Sequence, residues 1–294
     1  MLYRAGRGLL VAALAMMLAA AAARAEGALS YLEGLKGSDE RYKAPSELDP
    51  RYTIALYVNA AIKGPHRQRM WVLQRDAIGG AWRLAMWDEA HWRKADVGDG
   101  TVPSYSWPVS TGRYYRDSTL SGPTPTGVFA LDERKWRHAR GYSAPGMIHT
   151  IYIDFHYASG RRSGVAFHGT TRDRYGWLGR ADSHGCIRMR KENALALLNR
   201  ITGRDGVMPE EMRWGEVPRY WKFERGQKRW GYTRDGVPHP AKVPTVRADD
   251  TGAPAANGDS IVRTVAVRQH AERPEFPDVL TKTGFRAIAV IFED

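Results

Sequence analysis

Cys186 is the only cysteine in the chain, and it lies in the run Ser183-His184-Gly185-Cys186-Ile187-Arg188. A second histidine, His168, closes the apolar run Val165-Ala166-Phe167, which reads as a buried strand. Nucleophilic cysteine chemistry needs a thiolate, a base within hydrogen-bond reach and donors for an oxyanion. The stretch from His168 to Arg188 can supply all three. Gly185 lets the backbone turn tightly, so that the amides around Cys186 can point at a substrate carbonyl. A free thiol titrates near pH ~8.5, so a reactive Cys186 needs a neighbour that favours its thiolate. The rival reading is structural: a small buried core thiol, and a satisfied core histidine at a strand end. The setting of the thiol between His184-Gly185 and Arg188 favours chemistry.

His168, fourteen intervening residues and then Ser183-His184-Gly185-Cys186-Ile187 resemble the signature of the L,D-transpeptidases, the YkuD-type peptidoglycan enzymes. That signature is a histidine, a gap, Ser or Thr, His-Gly-Cys, an apolar residue and usually Asn. Arg188 departs from it, standing where the pattern often has Asn. A second match lies upstream. Ser110-Thr111-Gly112, followed by Thr124-Pro125-Thr126-Gly127 ahead of the Phe129 strand, is similar to the family's usual run-in.

The resemblance implies Cys186 as nucleophile and His168 as base, with the backbone carbonyl of Gly169 orienting the ring. It implies that His184 helps shape the oxyanion site, that the amides of Gly185 and Cys186 are the donors, and that Ser183 bonds within the loop. Arg188 either holds a substrate carboxylate, which a guanidinium suits, or pairs with a local acid such as Asp182. Tyr175 and Trp177 lie between the two halves of the motif, where they either cover the substrate as a lid or simply pack. No metal or cofactor is needed. His138, His149 and His156 lack comparable support and read as structural or exposed.

These residues need a scaffold. Tyr52, Ile54, Leu56 and Val58 alternate in the first strand and are expected to face one way. Met70–Gln74, Trp82–Trp87, a strand ending at Val109–Gly112, Val128–Leu131, the alternating Ile151–Tyr157 and Gly164–Phe167 follow. Many short strands without long helices between them point to a β-rich domain. After Cys186, Ala194, Leu197, Leu198 and Ile201 share one helical face and Gly203 stops the helix. That helix packs on the sheet and holds the cysteine loop. A short helix is expected near Leu29–Leu35. Pro123, Pro125 and Gly127 set turn geometry in the loop at 121–127, and the tryptophans Trp71, Trp82, Trp87 and Trp92 read as packing residues rather than sugar platforms.

The fold class is therefore mainly β: by resemblance a YkuD-like sandwich or barrel, with a helix after the nucleophile and a C-terminal extension. The expected organisation is a signal peptide at 1–25, a lead-in at 26–50 and the catalytic domain at 51–205. A hairpin-like extension about Arg225-Gly226 occupies 206–246, a linker 247–260, and strands of unknown role 261–294.

Arg4 and Arg7 precede an apolar run, and Ala23-Arg24-Ala25 has the pattern of a cleavage site, so export is expected, to the periplasm or cell wall. The run is short for a membrane span, and no anchor is expected after cleavage. A lone thiol makes no internal disulfide and is a hazard in an oxidising compartment unless buried or used. Removing residues 1–25 takes away three arginines and lowers the formal charge from +12 to +9. A basic, aromatic-rich exported chain fits an anionic wall polymer, and no nucleic-acid motif is present.

The expected function is acyl transfer on peptidoglycan stem peptides. By resemblance, Cys186 attacks the carbonyl of an L-centre such as meso-diaminopimelate and expels the terminal D-residue. The acceptor is a stem amine, a D-amino acid or an acceptor protein. Water as acceptor would make the chain an L,D-carboxypeptidase or a crosslink-cleaving hydrolase. A non-catalytic wall-binding protein fits less well, and a zinc peptidase lacks ligand spacing in the sequence.

Overall fold

The computed structural model describes residues 27–38, 41–85, 106–113, 122–133, 146–155, 163–218, 245–246, 263–264 and 281–294. The expected signal peptide, the hairpin about Arg225-Gly226 and the linker at 247–260 lie outside them, as do Trp87, Trp92, His138 and His156. The strands are β1 (Ile54–Asn59), β2 (Arg69–Gln74), β3 (Arg83–Leu84), β4 (Trp107–Pro108), β5 (Gly127–Ala130), β6 (Ile151–Tyr152) and β7 (Ala166–Thr170). They continue with β8 (Ile187–Arg190), β9 (Trp214–Pro218), β10 (Thr245–Val246), β11 (Arg263–Thr264), β12 (Thr281–Phe285) and β13 (Ala287–Phe292). Helix α1 covers residues 27–34, α2 is Lys191–Thr202 and α3 is Glu210–Arg213.

The large sheet has the order β3-β2-β1-β13-β5, with β4 also pairing β2. The small sheet is β6-β7-β8. Single bridges join the two at both edges: Leu131 with Ile153 beyond β5, and Ser110 with Arg188 beyond β4. The ring of strands thus closes on itself, and its interior is one apolar core. Ile54, Leu56, Val58, Met70 and Val72 point into it from the large sheet, and Phe167, Ile187 and Met189 from the small one. Side chains alternate across a strand, so the neighbours of those last three point outward. His168 and Arg188 are among those neighbours.

The other face of the large sheet is also covered. Ala55, Tyr57, Trp71, Leu73, Ile288 and Val290 pack against Ala28, Leu32, Tyr42, Ala44, Leu48 and Tyr52 of the N-terminal segment. This corrects the simple alternation expected of the first strand: every residue of β1 is buried, and Tyr52 belongs to the opposite core from Ile54. A strand covered on both faces reads as a continuous apolar run. Trp71 and Trp82 serve packing, Trp82 with its ring under Arg75 at 4.0 Å and its indole N–H on Pro45 O at 2.8 Å.

The C-terminal strand does return to a sheet. β13 lies between β1 and β5, parallel to β1 (Ile54 opposite Ala287) and antiparallel to β5. Residues placed by the sequence in a segment of unknown role therefore form the middle of the large sheet. β9 pairs with β12 in a separate two-stranded ladder, as β10 does with β11. α2 forms as expected: Ala194, Leu197, Leu198 and Ile201 are buried, and Gly203 ends it in the left-handed conformation at φ 74°. Arg213 completes the end by donating to Thr202 O at 2.8 Å.

Candidate active site

β7 and β8 run parallel, with Phe167 opposite Ile187 and His168 opposite Arg188. Phe167 and Ile187 enter the core, whereas Ala166 and Cys186 fall in a small outer cluster with Met147 and Tyr152. His168 on β7 and Cys186, immediately before β8, therefore lie on the outer face of the small sheet. His168 does not close its strand as expected; β7 continues through Thr170, which fixes the histidine backbone on both sides. The ring is 6% exposed.

Nδ1 of His168 lies 2.6 Å from the carbonyl oxygen of Gly169. A carbonyl only accepts, so Nδ1 carries the proton and Nε2 keeps its lone pair. Burial pushes the pKa of His168 from the usual 6.5 down to about 4; the Gly169 carbonyl opposes this, and the Arg188 guanidinium adds to it. At neutral pH the ring is a neutral base. Gly169 is glycine for a steric reason as well: a Cβ there would stand 2.9 Å from Lys191 Cα at the start of α2.

Cys186 is partly buried, and its thiol donates to Gly164 O at 3.6 Å. The loop before it is braced by two hydroxyls. Ser183 Oγ accepts from the Gly185 N–H at 3.0 Å and donates to Cys186 O. Thr124 Oγ1 accepts from Gly112 N–H at 2.8 Å and donates to Gly185 O at 3.0 Å. Gly122 N–H adds a contact to His184 O at 3.4 Å. Gly112 admits no side chain, since a Cβ would lie 2.2 Å from Gly122 O and 2.6 Å from Gly185 Cα. Gly185 itself has φ 127°, a value that favours glycine. The Gly185 amide is engaged by Ser183 Oγ, and the residue shapes the turn.

Arg188 sits beside Asp182, Nη1 to Oδ2 3.6 Å, and Arg113 approaches the other oxygen at 3.6 Å. Of the two readings for Arg188, the structure contains the ion pair with Asp182. Tyr175 lies in a single 3-10 turn, Arg172–Trp177, and its hydroxyl donates to Glu192 at 2.6 Å while accepting from Lys191 N–H at 3.2 Å. Both hydroxyl functions of Tyr175 are thus engaged at the start of α2. Trp177 is exposed, His184 lies exposed on the nucleophile loop, and His149 is half-buried.

The sequence reading missed Thr124, Gly112 and Gln68. Buried Gln68, at φ 54°, ties Ala60 O (2.7 Å) to Thr111, donating to its Oγ1 (2.8 Å) and accepting from its N–H (2.8 Å), and so holds the strand end that backs the cysteine loop. Gly112 and Thr124 were visible only as letters of the upstream run-in and its turn, and Gln68 carried no signal.

Residues 88–208 match the YkuD family model, described as the L,D-transpeptidase catalytic domain. Over that segment the chain is similar to a YkuD domain. The motif resemblance and this match fall on the same residues. No curated protein matches the chain. Among solved structures, it is similar to an L,D-transpeptidase from Mycobacterium smegmatis, with 16% identity, TM-score 0.26, and 50% of this chain and 54% of that one covered. It is also similar to L,D-transpeptidase 3 from Mycobacterium tuberculosis in complex with a faropenem-derived adduct, with 15% identity, TM-score 0.25, and 49% and 54% covered. The chain spans about half the length of these proteins.

Proposed function

We propose that this protein is an exported L,D-transpeptidase that works on peptidoglycan stem peptides through a Cys186 acyl-enzyme. The observation that carries the reading is the shared outer face of His168 and Cys186, with Nδ1 of the histidine held by Gly169 O. In the first half-reaction the Cys186 thiol gives its proton to His168 Nε2, and the sulfur attacks the carbonyl of an L-centre. A C–S bond forms, the amide C–N bond breaks, and His168 returns the proton to the departing D-residue amine. In the second, an amine attacks the thioester, His168 takes its proton, and the thiol is restored. The free thiol is only a few per cent ionised at neutral pH, so a neutral base beside it has a real part to play.

The carbonyl oxygen becomes negative during both attacks, and the Cys186 N–H is the backbone donor we assign to it, with His184 at the rim. Arg113 and Arg188 both lie beside Asp182 next to the loop, and a guanidinium in that place suits a stem carboxylate. Acceptors are a stem amine, a D-amino acid or a protein lysine. Tyr175 belongs to the support of α2, and Trp177, exposed next to it, is the side chain available to touch a substrate.

Mass spectrometry of purified muropeptides incubated with residues 26–294 and with the Cys186→Ala variant tests the reading. New dimers or D-residue exchange, absent with the variant, establish the transpeptidase. Loss of the terminal residue or splitting of dimers without a new bond makes water the acceptor and the protein a hydrolase. Equal behaviour of parent and variant overturns the cysteine mechanism.

A further inference from the structure

Two hydroxyls hold the loop around Cys186, and they do different things. Ser183 is on the loop itself, whereas Thr124 reaches it from another element. Thr124 is 4% exposed, and its one hydroxyl is used twice, accepting from Gly112 N–H and donating to Gly185 O. The Gly185 carbonyl belongs to the same peptide unit as the Cys186 N–H. No cis peptide occurs among the described residues, so that C=O and that N–H point in opposite directions in one plane. Whatever fixes the carbonyl therefore aims the amide.

We propose that Thr124 is a positioning residue for acyl transfer: its hydroxyl sets the plane of the Gly185–Cys186 peptide and thereby directs the Cys186 N–H at the oxyanion. This rests on the cysteine acyl-transfer reading above. Gly112 makes the arrangement sterically possible, because only a residue without Cβ lets strand 106–113, the 122–124 loop and Gly185 meet at one point. The Thr124 side chain never touches substrate. It acts through a peptide group.

Two reactions of the same sulfur separate this role from general support. Alkylation by iodoacetamide displaces iodide at a saturated carbon and forms no oxyanion, so it reads thiolate reactivity alone. Acylation by a carbapenem opens the lactam amide: the C–S bond forms, the C–N bond breaks, and the carbonyl oxygen passes through an anion. Both rates are measured on the full mature chain by intact mass. Acylation of the parent and its absence in Cys186→Ala secure the underlying reading before Thr124 is questioned; a parent that is alkylated but never acylated defeats that reading instead.

For Thr124→Val and Thr124→Ala the expected result is alkylation within about two-fold of the parent and acylation slowed about 10²-fold, the scale of a lost oxyanion donor. Thr124→Ser, which keeps the hydroxyl, restores acylation. Two variants guard against the failure of one to fold, and a folded variant is recognised by its retained alkylation rate and melting transition. Equal slowing of both reactions, loss of melting in both variants, or acylation at the parent rate overturns the proposal.

Discussion

His168 is the residue whose environment makes the sharpest statement about pH. Its imidazole takes a proton near the ordinary 6.5 in the unfolded chain but only near about 4 in the fold. Between those values the unfolded state binds more protons, so stability rises with pH there. The contribution is whole above about pH 6.5 and is lost as the pH falls towards 4. Thermal melts across this window should show a steeper decline for the parent than for His168→Gln, which has no imidazole to protonate. The acid limb of the acylation rate should lie near pH 4, not 6.5, because the base stays neutral down to that value. His168→Gln should slow acylation by about 10²- to 10⁴-fold, the usual worth of a positioned base.

At the scale of elements, the site depends on α2 being seated against β7. Lys191, the first residue of the helix, packs on Gly169, and Tyr175 clamps the same turn through Lys191 N–H and Glu192. Gly169→Ala would force a Cβ to within 2.9 Å of Lys191 Cα. Melting should reveal a loss of about 1–3 kcal/mol, the cost of overpacking. Acylation should fall by more than that stability loss implies, because the displaced carbonyl is the one that holds the histidine. Tyr175→Phe removes only the hydroxyl, and its melt should drop by about 1 kcal/mol with little change in acylation.

Helix α2 was legible in advance because its apolar spacing, Ala194 to Ile201, and its Gly203 stop are local signals. The motif likewise placed His168 and Cys186 in one segment, and the parallel β7–β8 register sets them on one face. Thr124 was not legible. Its sequence neighbours report a turn, while its role is set by Gly185, which only the folded chain brings near. The partner of the Gly185 amide was hidden for the same reason: nothing in the letters says that Ser183 Oγ accepts from it.

Viewed as one molecule, the catalytic sheet cannot be separated from its distant partners. The small sheet closes onto β5 at one edge and β4 at the other, and the strands between those are β2, β1 and β13. None of those three lies within 88–208, the segment that matches the family model. A polypeptide of 88–208 alone should therefore give no cooperative melting transition by circular dichroism, whereas 26–294 should melt cooperatively. The sequence did show β13 as an apolar run, but not its place, because a parallel pairing between β1 and a strand at the far end of the chain leaves no local trace.

That pairing also sets an order of events during synthesis. β1 and β2 are joined by a short connection and can zip together early, but the second edge of β1 has no partner until β13 has been made. Through that interval a run of buried-type residues, Ile54 to Val58, waits with unpaired amides and carbonyls along one side. Long-range parallel pairing is slow, and open apolar edges are where chains aggregate. A sheet that closes only at β13 stays open until the chain through Phe292 has been made.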